Sequence, residues 1–236
     1  MINTIDCKSI INIYKSINSF VGLGTTARCY KTKSGEVIKL FYNEADIHCL
    51  DFFNKLSKIS NISYITPDTL YLKGDSILGY KYPYVNGVTL KNSNNSLEYY
   101  RDSYMRLFYD TKDISDQKFL LRDTHNKNIL ASDTLKIIDL DDGIFCEDVD
   151  NAFDRNISNI NRCIIYSFFN IPLNHDMYFK DEYLNNLYKD ALYYDYFKYI
   201  DLLNELMNDG YNTKKDLKHN SKKLVYHFYN EYKDRY

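Results

Sequence analysis

The residues best suited to chemistry in this chain are Asp123, Asn128 and Asp139. Asp123 and Asn128 stand five residues apart in Leu121-Arg122-Asp123-Thr124-His125-Asn126-Lys127-Asn128-Ile129-Leu130, between apolar segments. A short polar loop would therefore present a carboxylate and a carboxamide together. Eleven residues beyond Asn128, after the apolar run LKII, comes Asp139. Such oxygens suit a hard cation such as Mg2+, which usually takes only one or two protein carboxylates and adds phosphate oxygens and water. Taken alone the spacing is common, and two solvated turns would also produce it.

Two features upstream add weight. Gly22-Leu23-Gly24-Thr25-Thr26-Ala27 sits between two predicted strands, where glycines let the backbone approach phosphates. A dinucleotide-binding loop has a similar string, but a helix should follow it, whereas RCYKTKSGEVIKLFY reads as a hairpin. Val37-Ile38-Lys39 then places a lysine in an otherwise apolar strand. An unpaired ammonium is costly to bury, so Lys39 calls for an anionic partner unless its strand is half exposed.

The elements that must position these residues change along the chain. SFVGLG, TARCYKT and GEVIKLFY predict three strands, the last after the turn signal Lys33-Ser34-Gly35. The first eighteen residues alternate weakly and predict a short strand or helix at the edge of the domain. Ile47, Leu50, Phe53 and Leu56 recur at intervals of three and predict an amphipathic helix over 43–59. DTLYLKG and SILGYKYPYV predict two more strands, and Asn86-Gly87 a turn. Beyond Gly87 the texture is helical over 97–110, 157–170, 181–208 and 214–233, with two short apolar runs, NILAS and LKIIDL. The reading is an α+β protein with a β-rich part over 1–86 and a mainly helical part over 87–236.

Composition narrows the class. With 44% hydrophobic and 26% charged residues, the chain can bury a core. A net charge of −2 argues against a dedicated nucleic-acid binder, which draws affinity from a basic surface. Five scattered cysteines with no C-x-x-C pair predict neither a disulfide framework nor a zinc site, and fit a reducing cytoplasm. MINTIDCKSI lacks the pattern of a signal peptide, and no apolar run approaches the ~18 residues of a membrane span, so no membrane partner is expected. With 25 tyrosines and no tryptophan, tyrosine must supply much of the packing area, leaving hydroxyls to bond at the boundary.

The glycine turn, lysine strand, Asp/Asn loop and second aspartate occur in an order that resembles the protein-kinase-like superfamily, which includes protein kinases and the aminoglycoside and choline kinases. The resemblance covers roughly 19–170 and implies a bilobal fold, with a small antiparallel β-rich N-lobe and a mainly helical C-lobe. It further implies ATP bound between lobes and transfer of its γ-phosphoryl group. Gly22 and Gly24 would then cover the phosphates, and Lys39 would hold the α- and β-phosphates. Asp123 would accept the hydroxyl proton, Asn128 would bind one Mg2+, and Asp139 would bridge metal and phosphate. Tyr82-Pro83-Tyr84-Val85 resembles the hinge, where the Pro83 carbonyl and the Val85 N–H would pair with adenine. Glu44 is the expected helix partner of Lys39, with Asp46 the alternative.

The departures bear on the acceptor. Leu121 replaces the usual histidine before Arg-Asp, and Asp139-Leu140-Asp141 stands where Asp-Phe-Gly is expected, with Gly143 displaced. Asp141 is either a second metal ligand or a supporting neighbour. Ala27 and Cys29 replace the third glycine and the usual valine, and no Ala-Pro-Glu follows. His125 is expected to shape the loop, as in D-x-H-x-x-N kinases, and Arg122 to form a local salt bridge. His48, His175, His219 and His227 lack metal-like clustering. The leading expectation is a protein Ser/Thr kinase. A small-molecule kinase is the first alternative, with Asp141, Asp142, Glu147, Asp148 and Asp150 able to receive a cationic acceptor. A pseudokinase scaffold is the second.

Overall fold

The strand-like runs of the N-terminal third pair into one six-stranded, mainly antiparallel sheet, and the later segments form helices, making a mixed α+β protein. The computed structural model describes residues 1–7, 10–46, 49–146, 151–169 and 196–217. It contains two compact units, Met1–Asn86 with Ile138–Asp141, and Gly87–Ile137 with Asp142–Tyr236. Among the described residues no helix is long and apolar enough to cross a membrane. All five cysteines are free thiols.

In the first unit the strands are β1 (Asn3–Asp6), β2 (Ile17–Leu23), β3 (Ala27–Thr32), β4 (Glu36–Asp46), β5 (Thr69–Lys73) and β6 (Ser76–Pro83), with helices α1 (Ile10–Tyr14) and α2 (Leu50–Leu56). Their order is β1-β5-β6-β4-β3-β2, and only β1 and β5 run parallel. The central strands are buried on both faces. Ile38, Leu40 and Leu78 pack with Cys7, Ile13 and Tyr71, while Tyr80 meets Phe53 of α2 with ring centroids 5.6 Å apart. Each such aliphatic side chain contributes about 1.5–3 kcal/mol by burial.

Cys29 pairs with Lys39 across β3 and β4, and Lys39 with Tyr80 across β4 and β6. Directly paired residues share a face, so Lys39 and Tyr80 project side by side. Gly79 lets these strands approach closely: a Cβ on it would lie 2.1 Å from the Lys39 carbonyl oxygen.

The helix expected over 43–59 is shorter. β4 runs on to Asp46, because Ala45 and Asp46 pair with Ile77 and Ser76 of β6, and α2 begins only at Leu50. Cross-strand pairing there overrides the three-residue spacing.

The second unit holds α3 (Leu97–Asp116), α4 (Ala152–Phe169) and α5 (Tyr196–Asn208). Its short strands are β7 (Val88–Thr89), β8 (Phe119–Leu120), β9 (Ile129–Ala131), β10 (Leu135–Ile137) and β11 (Ile144–Phe145). The Ser96 side chain accepts from the Tyr99 N–H at 3.2 Å and starts α3, whose buried face includes Leu97, Tyr100, Tyr104, Leu107 and Ile114. The Tyr104 hydroxyl donates to Asn161 of α4 at 2.5 Å. Leu203 and Leu206 of α5 are buried, while Leu184, Leu187 and Ala191 lie outside the described residues, as does most of 214–233.

Candidate functional site

Within the first unit, one buried cation gathers two carboxylates from far along the chain. Lys39 is 4% exposed, and its Nζ bonds Asp139 Oδ1 and both oxygens of Asp141, at 2.7 Å to Oδ1 and 2.9 Å to Oδ2. The Tyr80 hydroxyl donates to Asp141 Oδ1 at 2.7 Å. Both oxygens of Asp141 are thus engaged, and its side chain is 11% exposed against 34% for Asp139. Asp139 also has a left-handed backbone, φ 66°, a region that aspartate tolerates better than most residues.

These environments push the two carboxyls apart. Burial disfavours the ionised form of each, and Lys39 opposes it for each. For Asp139 burial and the Asp141 charge prevail, raising its pKa. For Asp141 the adjacent Lys39, helped by the Tyr80 hydroxyl, overcomes burial and holds the pKa below the usual carboxylate range. Burial would likewise strip Lys39 of its proton, but the Asp141 and Asp139 charges more than compensate, and its pKa is raised.

Glu44, the expected partner of Lys39, is elsewhere. It lies on β4 and pairs with Lys73 at 3.2 Å, because the strand continues where a helix was expected. Gly22 lies near the end of β2 and Gly24 just beyond it, in the turn into β3, where the Gly24 N–H bonds the Ala27 carbonyl at 2.9 Å. Neither glycine has a positive φ, and a Cβ on Gly22 would meet nothing within 4 Å. The fold itself does not require these glycines. Pro83 closes β6, and among the described residues the Val85 N–H has no hydrogen-bond partner, leaving a donor for a ligand.

The second unit holds the Asp/Asn loop. The Asn128 Nδ2 donates to the Asp123 carbonyl at 3.1 Å and faces Asp123 Oδ2 at 3.4 Å. His125 shapes the loop: its Nδ1 accepts from the Lys127 and Asn128 N–H groups at 3.2 and 3.3 Å, and its Nε2 is 3.6 Å from Asp123 Oδ2. The Asp123 side chain stays 49% exposed. Arg122 is exposed, and no described acidic side chain forms its expected local salt bridge, while Glu147, Asp148 and Asp150 lie outside the described residues.

The loop is laid on α4 by side chains that sequence reasoning missed. Asn156 is fully buried; its Oδ1 accepts from the Leu121 N–H at 2.8 Å, and its Nδ2 donates to the Phe119 carbonyl at 2.8 Å and to Ser115 Oγ at 3.0 Å. Farther along the helix, the Cys163 thiol donates to the Thr124 carbonyl at 3.3 Å. An asparagine in a helical run carries no signal of this. Tyr80 was hidden among many tyrosines.

Of the acidic residues weighed for a cationic acceptor, Asp141 is committed to Lys39 and Asp142 is exposed, while Glu147, Asp148 and Asp150 lie outside the described residues. His48, His175, His219 and His227 also lie outside them. Among the described residues no three His, Cys, Asp or Glu side chains form a ready cation site. The donor set, one partly exposed carboxylate beside an ammonium, fits Mg2+ drawn in with phosphate better than a caged cation. No protein-family model matches the chain, and no curated protein matches it.

Proposed function

We propose that the chain is an ATP-dependent phosphotransferase of the two-lobed protein-kinase-like type, moving the γ-phosphoryl group of Mg-ATP to a hydroxyl of a protein serine or threonine. The observation that carries this reading is the buried Lys39 with Asp139 and Asp141, residues 100 and 102 positions away in sequence. A lysine buried on a sheet face, beside a carboxylate that stays partly open, is suited to phosphate on one side and a hard cation on the other.

Each residue then has a task. Lys39 holds phosphate oxygens, and Gly22 and Gly24 let the β2–β3 turn lie close over them. Asp139, and by the family resemblance Asn128, would each be able to offer an oxygen to Mg2+, which when bound would neutralise charge developing on the phosphates. The Pro83 carbonyl and Val85 N–H meet the adenine edge. Asp123, held by Asn128, orients the acceptor hydroxyl and takes its proton. Such catalysis is mainly positioning and charge neutralisation.

The test is transfer of label from γ-labelled ATP to protein acceptors and to the chain itself, followed by mass spectrometry. Lys39→Ala and Asp139→Ala are expected to reduce transfer to background while unfolding stays cooperative. Undiminished turnover in both variants would sink the assignment. One observation favours a different acceptor: the His125 ring organises the loop, as suits the D-x-H-x-x-N arrangement of small-molecule kinases. Label appearing on aminoglycosides, choline or sugars, and never on protein, would select that acceptor class.

A further inference from the structure

Lys39 has two carboxylate partners, and they are not equivalent. An ammonium has three N–H donors. Here its contacts go to both oxygens of Asp141 and to one of Asp139. The Asp141 carboxylate is fixed from a second direction by the Tyr80 hydroxyl, on a side chain that is 4% exposed. Tyr80 is itself placed by direct pairing with Lys39 across β4 and β6, and its ring packs against Phe53 and Tyr82. Asp139 meets Asp141 and Lys39 but, among the described residues, no hydroxyl from the sheet, and it is the more exposed of the two.

We propose that Asp141, braced by Tyr80, is the residue that keeps Lys39 aimed, and that Asp139 is the carboxylate free to turn to a cation. The inference rests on the phosphotransferase reading above and assigns positioning residues within it. If both carboxylates left for a metal, Lys39 would remain buried without an anion, which is strongly unfavourable. If Asp139 alone leaves, Asp141 keeps the ammonium in place and one N–H becomes available to a phosphate oxygen. Tyr80 donates to Asp141 in either case. Burial, then the nearby carboxylates, raise its pKa well above the ordinary phenol value, so it stays a neutral donor. The glutamate sought on a preceding helix is thus replaced by an aspartate two residues after the metal-facing one.

The experiment is acylation of the full chain by an amine-reactive ester without nucleotide, with Lys39 labelling read by peptide mass spectrometry against exposed Lys55 as internal standard. Lys39 is buried, so removing the anion that anchors its ammonium releases the side chain to swing out and meet the ester. Asp141→Asn is expected to speed Lys39 labelling at least tenfold, Tyr80→Phe about threefold, and Asp139→Asn less than twofold. In parallel, Asp141→Asn and Tyr80→Phe weaken Mg-ATP binding by calorimetry, and Tyr80→Phe raises KM for ATP more than it lowers kcat. Both substitutions are nearly isosteric, and Tyr80→Phe leaves every charge in place, so it tests the idea even if Asp141→Asn misfolds.

Labelling in Asp139→Asn equal to or above that in Asp141→Asn would overturn the proposal, as would unchanged labelling in Tyr80→Phe. If the labelling order holds but the wild-type chain neither binds Mg-ATP nor transfers phosphate, the bracing stands and the phosphotransferase reading falls. If transfer occurs and the order is reversed, the bracing alone falls.

Discussion

Replacing Asn156 by alanine should disable the Asp/Asn loop from beneath without touching any residue that meets substrate. In the native structure Asn156 is fully buried and satisfies the Leu121 N–H and the Phe119 carbonyl, while also donating to Ser115. Ser115 keeps its own bond to the Thr111 carbonyl at 2.7 Å, so it contributes little to the loss. The Leu121 N–H is left in a buried site without a partner, at about 2 kcal/mol, and the Phe119 carbonyl loses its donor, at about 1 kcal/mol. The expected destabilisation is therefore about 3 kcal/mol, a large part of the roughly 5–15 kcal/mol typical of a domain. For a chain of this size that is a fall of roughly 6–12 °C in Tm.

Three measurements check it. Urea unfolding gives the stability change, hydrogen exchange reports the Leu121 amide, and label transfer from ATP reports the loop. Leu121 lies two residues before Asp123, so kcat should fall at least tenfold while Mg-ATP affinity stays within threefold. Asn156→Asp is not a rescue, because it keeps the acceptor for Leu121 but turns a carboxylate towards the Phe119 carbonyl. A loss below about 1 kcal/mol, or a Leu121 amide as well protected as in the wild type, would refute the reasoning.

Gly22→Ala should leave stability unchanged or raise it by about 0.5 kcal/mol, since the new methyl meets nothing within 4 Å and the strand loses a flexible residue. Calorimetry should nonetheless show weaker Mg-ATP binding, and unchanged affinity would remove this turn from the phosphate site. Gly79→Ala should cost at least about 3 kcal/mol in urea unfolding, because its Cβ would collide with the Lys39 carbonyl on β4; a cost below about 1 kcal/mol would contradict the close approach of the two strands. The two carboxylates should respond oppositely to pH. The folded-state pKa of Asp141 is lowered, so its contribution is present above the ordinary value of about 3.9 and is lost as pH falls through the folded value. That of Asp139 is raised, so its ionisation opposes folding at neutral pH and the penalty disappears below about 3.9. Asp139→Asn should thus be slightly more stable than wild type at pH 7, and Asp141→Asn less stable, with both differences shrinking towards pH 3 in urea titrations; a stabilised Asp141→Asn would reverse the assignment.

Local texture and long-range pairing differ in how far they can be read from sequence. The strands around Phe20, Cys29 and Ile38 show themselves through apolar runs bounded by glycine, and Gly35, with φ 86°, supplies the turn conformation that Lys33-Ser34-Gly35 signals. The segment after Tyr42 misleads because its apolar spacing is helical, while Ala45 and Asp46 take their structure from Ile77 and Ser76, some thirty residues away. The same limitation applies to the ion cluster. That Lys39 needs an anion follows from its apolar strand, but that the anion is Asp141 depends on register with Tyr80 and on the return of Ile138–Asp141 to the first unit. Asn156 was invisible for a further reason: its partners are backbone groups, and backbone groups have no residue type to recognise.

The cluster also bears on whether the arrangement is chemical or merely structural. As a stabilising device it is poor, since three charges must be stripped of water on a sheet face where the packing of Tyr80 on Phe53 shows that apolar contacts are available. Replacing buried ion pairs by apolar residues is often neutral or stabilising by about 1–4 kcal/mol. A fold selected only to hold together would gain by filling the Lys39 position with methionine or leucine. The unequal environments sharpen the point: one carboxylate is saturated and held down in pKa, the other is left partly open, with a left-handed backbone and a raised pKa. Stability alone does not require that asymmetry. It suits a site in which one anion must stay with the lysine while the other changes partners.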